Sequence, residues 1–123
     1  MDCIFCKIIN GSIPSYTIYE DDVVKAFLDI SPDSNGHTLI IPKKHYLDID
    51  SIDNDTLIHI MNVARDIKKL LESKLNIDGL TLIQNNGDVQ EVKHYHLHLK
   101  PYYKNKQKIK DVNEIYNIIK NLD

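Results

Sequence analysis

Three of the chain's six histidines stand on alternate positions of one stretch, His94-Tyr95-His96-Leu97-His98-Leu99-Lys100-Pro101. A period of two belongs to a β-strand, so the three imidazoles are expected on one face, with Tyr95, Leu97 and Leu99 on the other. Successive rings on that face would stand about 6.6 Å apart, two rises along the strand. An imidazole with its ordinary pKa near 6.5 exchanges protons, ligates metals and bonds phosphate around neutral pH. Three in a row suit any of these tasks. A second group of chemically able residues opens the chain. Cys3 and Cys6 are three apart, so on one helical turn both sulfurs face the same way. In a reducing compartment such a pair serves metal binding or redox chemistry more often than a structural disulfide. Two small thiols buried beside the core are the plain alternative.

Bulk properties narrow the setting. At 123 residues the chain has the length of one domain. A hydrophobic share of 42% and a charged share of 27% are those of a soluble globular protein. The net charge of −3 lacks the basic footprint of a nucleic-acid binder, so no nucleic-acid partner is expected. No apolar run approaches the roughly 20 residues of a membrane span. The start MDCIFCKII carries an early acid and has no charged leader region or cleavage site. No signal peptide is therefore expected, and a cytoplasmic setting is.

The elements that must carry these residues follow from period and punctuation. Residues 3–10 read as a short helix closed by Asn10-Gly11. Residues 16–20 and 23–28 read as strands of a tight hairpin around Asp21-Asp22. Residues 29–36 form a loop of Ser, Pro, Asp, Asn and Gly, and 38–41 a short strand stopped by Pro42. A long helix is predicted over about 53–75. Its buried face is Leu57, Ile60, Met61, Ala64, Ile67, Leu71 and Leu75, at spacings of three and four. His59 falls on the opposite, solvated stripe. Residues 80–84 make another strand, followed by the turn-rich 85–88 and the histidine strand. A last helix is predicted over 111–122, with Asp111 and Glu114 as a capping-box variant. Strands around one long helix, without regular β-α-β alternation, predict an α+β fold. Its sheet is antiparallel with about five strands, flanked by a short N-terminal helix and a C-terminal helix.

Gln90-Glu91-Val92-Lys93 leads into the histidines, giving Gln-x-Val-x-His-φ-His-φ-His-φ, where φ is apolar or aromatic. Upstream, in order, stand Cys-Ile-Phe-Cys-Lys-Ile-Ile from Cys3, Ala26-Phe27-Leu28-Asp29-Ile30-Ser31-Pro32, and Gly-His-Thr-Leu-Ile-Ile-Pro-Lys-Lys-His from Gly36 to His45. Asn85-Asn86-Gly87 completes the set. These blocks cover most of residues 3–103. Together they resemble the histidine triad (HIT) family of nucleotide-binding hydrolases and transferases, and within it the zinc-containing branch.

The resemblance implies that residues 1–123 are a single HIT domain with the HIT-like fold. It implies a closed structural zinc site of Cys3, Cys6, His45 and His94, with no metal needed where catalysis occurs. His96 is then the nucleophile toward the α-phosphorus of a nucleotide, forming a nucleotidyl-histidine that water hydrolyses. His98 donates to the phosphate oxygens, and His37 stands across the same pocket as a phosphate contact, an orienting group or a proton relay. Asp29 would accept the ribose hydroxyls. Phe27, Ile30 and Leu39, with Ile4, Phe5 or Ile8, would flank the base. Asn86, with backbone N–H groups from Gln90 to Val92, would line the phosphate site. The implied activity is that of a nucleotide phosphoramidase or hydrolase acting on purine nucleotides, in a homodimer. The rivals are a dinucleoside polyphosphate (Ap4A-type) hydrolase and a nucleotide-binding regulatory or scaffold module with incidental turnover.

This chain departs from the family pattern in one loop and one strand end. Val89 precedes Gln90 where Gly is usual, and Glu91 occupies a position where a small or hydroxylated residue often meets phosphate. A carboxylate there repels an anion unless it points away. Lys100 replaces an apolar residue after the triad, in phase with His98. It either reaches a phosphate or is solvated, as Lys104, Lys106, Lys108 and Lys110 are expected to be.

Overall fold

Apolar residues alternating along short strands require cover on at least one sheet face, and here both faces receive it. The computed structural model describes residues 3–121. Met1 and Asp2 of the N-terminal stretch and Leu122 of the expected last helix lie outside them. The elements are α1 (Ile4–Ile9), β1 (Thr17–Glu20), β2 (Val24–Leu28), β3 (Thr38–Pro42), α2 (Asn54–Leu75), β4 (Gly79–Gln84), β5 (Leu97–Tyr102) and α3 (Val112–Lys120). The five strands form one antiparallel sheet in the order β1-β2-β3-β5-β4. This is the α+β architecture that the sequence predicts.

The two faces bury different things. Val24, Ala26 and Leu28 of β2, Ile40 of β3, and Leu97 and Leu99 of β5 pack with Ile60, Val63, Ala64, Ile67 and Leu71 of α2. Ile115 and Ile119 of α3 close the end of this main core. On the opposite face Phe27, Leu39 and Ile41 pack with Cys3, Phe5 and Ile8 at α1, a second and smaller core. β3, in the middle, is buried along its whole length. The α2 face is rotated from expectation: Val63 is buried while Met61 is 42% exposed. Leu57 and Leu75 only flank the core. α2 carries parallel apolar rows, and the row containing Val63 is the one that meets the sheet.

The histidine stretch joins the sheet later than its alternation suggests. β5 pairs with β3 only from Leu97 opposite Ile40. Pro42 ends β3 without an N–H to extend the ladder. Its carbonyl accepts from His94 Nε2 at 2.8 Å, and Tyr95 N donates to the Tyr46 carbonyl at 2.7 Å. The sidedness survives. Tyr95, Leu97 and Leu99 enter the main core, and His94 and His96 lie against Phe5 of α1. Among the described residues no helix is long and apolar enough to cross a membrane.

The loop after β2 must return close to the end of α2, and Gly36 allows it. Its φ is +92°, and a Cβ there would lie 2.6 Å from Leu75 Cδ1. His59, expected to be solvated, instead ties α2 to the β1–β2 turn. Its Nε2 lies 2.6 Å from Asp21 Oδ2, which also accepts from the Tyr19 hydroxyl at 2.6 Å. Asp21 Oδ1 accepts from Val23 N and Val24 N at 2.8 and 2.9 Å. Burial alone would raise the Asp21 carboxyl, but these donors overcome it and hold it well below the usual carboxylate range. Asp21→Asn is expected to cost about 1–3 kcal/mol at pH 7. An ionised, depressed carboxyl stabilises the fold above its ordinary pKa of about 3.9, and that contribution fades as pH falls below it. The deficit of the variant should therefore shrink between pH 7 and pH 3. Urea denaturation at both values tests this, and an equal deficit at both would refute it.

Candidate functional site

Four lone-pair atoms converge where α1, the end of β3 and the histidine stretch meet. Cys3 caps α1, and its Sγ accepts the Cys6 N–H at 3.3 Å, which turns both sulfurs inward. His94 Nδ1 lies 3.3 Å from Cys3 Sγ, 3.6 Å from Cys6 Sγ and 3.1 Å from His45 Nδ1. Cys6 Sγ to His45 Nδ1 is 3.2 Å. A tetrahedron about zinc, with Zn–N near 2.0 Å and Zn–S near 2.3 Å, has edges of about 3.3–3.8 Å. The four donors of Cys3, Cys6, His45 and His94 come close to those edges, so the set fits the ion. The Pro42 carbonyl supports the fit, because it takes the His94 Nε2 proton and leaves Nδ1 as a lone pair. Burial, opposed by that hydrogen bond, pulls the His94 pKa down to about 4. Burial and the neighbouring Cys3 push the Cys6 thiol up to about 11. A metal ion here would have to displace thiol protons.

His96 follows on the same face. It is 3% exposed, with the Phe5 ring edge-on at 5.0 Å between centroids. Its Nδ1 donates to the His94 carbonyl at 2.8 Å, which fixes the tautomer and leaves Nε2 unprotonated. Burial depresses its pKa further than that hydrogen bond raises it, so the ring is neutral at pH 7.

Beyond His96 a directed chain of hydrogen bonds begins in the loop before β3. The backbone N–H of Asp33 donates to His37 Nδ1 at 3.1 Å, placing the His37 proton on Nε2. That Nε2–H donates to His98 Nδ1 at 3.0 Å, leaving the His98 proton on its own Nε2. Burial and the neighbouring His96 and His37 bring the His98 pKa down to about 4, and burial also depresses His37. Asp29 Oδ2 stands 3.6 Å from His37 Nε2, and Oδ1 accepts the Ser31 N–H at 2.8 Å. Asp29, His37 and His98 are close enough to suggest a metal group. The relay argues otherwise, because the His37 atom facing His98 carries a proton rather than a lone pair.

These groups open on a cavity of about 480 Å³. Ile4, Phe5, Ile8, Phe27, Leu39 and Val92 form its apolar wall, and Asp29, His37, His96 and His98 its polar floor. Ile30 lies on its rim, 76% exposed. The Asn86 side chain and the Gln90 N–H, both expected at the phosphate, are engaged elsewhere, Gln90 N donating to the Gly87 carbonyl at 3.0 Å. Asn86 Oδ1 accepts from Ile49 N at 2.9 Å and from Gln84 Nε2 at 2.8 Å, and its neighbour Asn85 lines the cavity. Gln90 is buried and donates Nε2 to the Leu47 carbonyl at 2.6 Å, bracing the loop from behind. Glu91 and Lys100 both line the cavity. Asp33, which sequence reasoning passed over, orients the relay by its main chain. Its one available signal was standing four residues before His37. Among the described residues every buried side-chain nitrogen or oxygen has a partner.

A family model described as the HIT domain matches residues 10–105. The chain is 46% identical over 120 residues to an uncharacterized HIT-like protein of Methanocaldococcus jannaschii, covering 94% of this chain and 91% of that one. It is 43% identical over 101 residues to an adenosine 5'-monophosphoramidase of Saccharomyces cerevisiae, covering 80% and 61% respectively. A solved zinc-bound histidine triad family protein of Mycobacterium smegmatis superposes with a TM-score of 0.89 at 32% identity, over 97% of this chain and 91% of that one.

Proposed function

The chain belongs to the HIT family, and from that premise we propose that it is a nucleotide phosphoramidase acting at the α-phosphate of a purine nucleotide. The observation that carries this reading is the state of His96: neutral, held at Nδ1 by the His94 carbonyl, with Nε2 free beside His98. Nε2 attacks the α-phosphorus, and the bond from phosphorus to the leaving nitrogen breaks. Once the anionic phosphate is bound, the His37–His98 pair takes up one proton from solvent. His98 Nε2 passes a proton to the departing amine and the ring ends neutral, its Nδ1 still bonded to His37 Nε2–H. Water then attacks phosphorus, the bond to His96 Nε2 breaks, and the water proton returns to the pair. Nucleotide amide plus water thus gives nucleoside monophosphate and free amine.

Asp29 would accept the ribose hydroxyls, with the base between Phe27, Leu39 and the α1 side chains, and Ile30 at the rim. Asn86, Gln90 and Val92 would shape the phosphate loop, Asn86 and Gln90 through the backbone contacts described above. A zinc ion held by Cys3, Cys6, His45 and His94 would be structural, fixing α1 to the histidine stretch, with no metal required at the phosphate. Residues 1–123 act as one HIT domain in the cytoplasm, paired in a homodimer. The exposed Leu82 on edge strand β4 is consistent with such pairing. The test is to trap the intermediate. Protein quenched in alkali during turnover of an α-labelled nucleotide phosphoramidate should carry acid-labile label, released on acidification. Absence of label during demonstrated turnover would remove the covalent mechanism.

A further inference from the structure

Among the described residues lining the cavity, Lys100 is the one permanent cation, set against three carboxylates, Asp29, Asp33 and Glu91. A substrate cleaved at phosphate arrives anionic, so the position of that single ammonium decides where further negative charge is tolerated. Lys100 lies two residues beyond His98 on β5, on the same face of the strand. It lies four residues, about 13 Å along the strand, from His96 and the Phe5 wall. Its Nζ is 2.7 Å from Asp33 Oδ2, with the lysine side chain 28% and the aspartate 63% exposed. Asp33 is also the residue whose N–H fixes His37 and, through it, His98. Phe27 on β2 and Leu39 on β3, the sheet residues of the base wall, stand level with His98, so the lysine on β5 lies one strand repeat beyond them and two strands across from Phe27.

Building on the reading that His96 cleaves at the α-phosphate, we infer that Lys100 is a specificity-determining residue that receives a negatively charged leaving group, a phosphate foremost. Asp33 holds the ammonium at the cavity wall until a leaving-group oxygen takes its place. The ammonium stays paired throughout the exchange, so its desolvation is not added to the cost of binding. In Glu91 the cavity has no equivalent: a carboxylate repels the same group.

The test compares two substrates sharing one adenylyl half, adenosine 5'-phosphoramidate and diadenosine tetraphosphate, on the full chain. The ratio of their kcat/KM values, tetraphosphate over phosphoramidate, should fall about tenfold in Lys100→Met. Lys100→Arg should restore it to within about threefold. Asp33→Asn, which keeps the backbone N–H to His37, should raise it. Equilibrium binding of ADP relative to AMP needs no turnover, and its preference for ADP should drop in Lys100→Met alongside the kinetic ratio. Equal losses on both substrates, with the ADP to AMP ratio unchanged, would overturn the assignment and leave Lys100 a packing residue. If wild type cleaves neither substrate but the ADP to AMP ratio still drops in Lys100→Met, the cleavage reading fails and the assignment of Lys100 stands.

Discussion

His96→Ala should lower kcat for an adenosine phosphoramidate by about three orders of magnitude or more, because it removes the atom that bonds to phosphorus. The substrate's binding groups remain, namely the apolar wall, Asp29 and the relay, so KM should change far less than kcat. Truncating a buried ring against Phe5 also costs stability, about 1–3 kcal/mol, and the variant must be shown folded by denaturation before its rate is read. A comparison with His98→Gln separates attack from protonation. Proton donation contributes typically 10²–10⁴-fold, and only when the leaving group needs a proton. With an amine leaving group His98→Gln should be severely impaired. With an acidic phenol as leaving group its deficit should nearly vanish, whereas that of His96→Ala should not. A His96→Ala enzyme retaining more than about a tenth of wild-type kcat would end the nucleophile assignment.

The parts of this arrangement that were legible in the sequence are those carried by period and residue type. Alternation placed His94, His96 and His98 on one side although only His98 lies in β5 and His94 stands in a bend, its N–H donating to the Val92 carbonyl. The three-and-four spacing located α2 to within one residue of its observed start. It did not choose between Met61 and Val63, since apolar side chains occupy more than one row of that helix and the sheet decides which row is buried. Contacts made by the main chain left no trace in residue type. The Pro42 carbonyl that sets the His94 tautomer and the Asp33 N–H that sets His37 are examples. The His59–Asp21 bond depends on where a hairpin tip lands 38 positions away, which no local pattern encodes. Asn85 and Asn86 differ in role by one step of a turn, and type alone cannot assign that phase.

Cys3→Ser is expected to lower bound metal from about one zinc per chain to a small fraction of that, and to weaken the N-terminal half of the site more than the fold as a whole. The unequal effect follows from the two cores. The main core between the sheet and α2 contains no proposed ligand and should persist without metal. The smaller core includes Cys3 itself, together with Phe5 and Ile8 of α1, a helix of only six residues. So short a helix has little stability of its own, and without a metal this packing and the Lys25 Nζ bond to the Ile8 carbonyl must hold it. Loss of the ion should therefore free α1, withdraw Phe5 from His96 and open the base wall, raising KM for nucleotide while the α2 core still melts cooperatively. Hydrogen exchange should show early loss of protection in residues 4–10 and retained protection in α2. Binding also requires thiolates and a neutral His94, so metal affinity should fall as pH drops from 7 to 5, and chelator with mild acid should strip wild type to the same state. Elemental analysis decides the matter: native protein purified without chelator and free of metal, or a Cys3→Ser variant with undiminished zinc, would refute the site. A Cys3–Cys6 redox pair would instead leave metal content unaffected and make stability depend on added thiol.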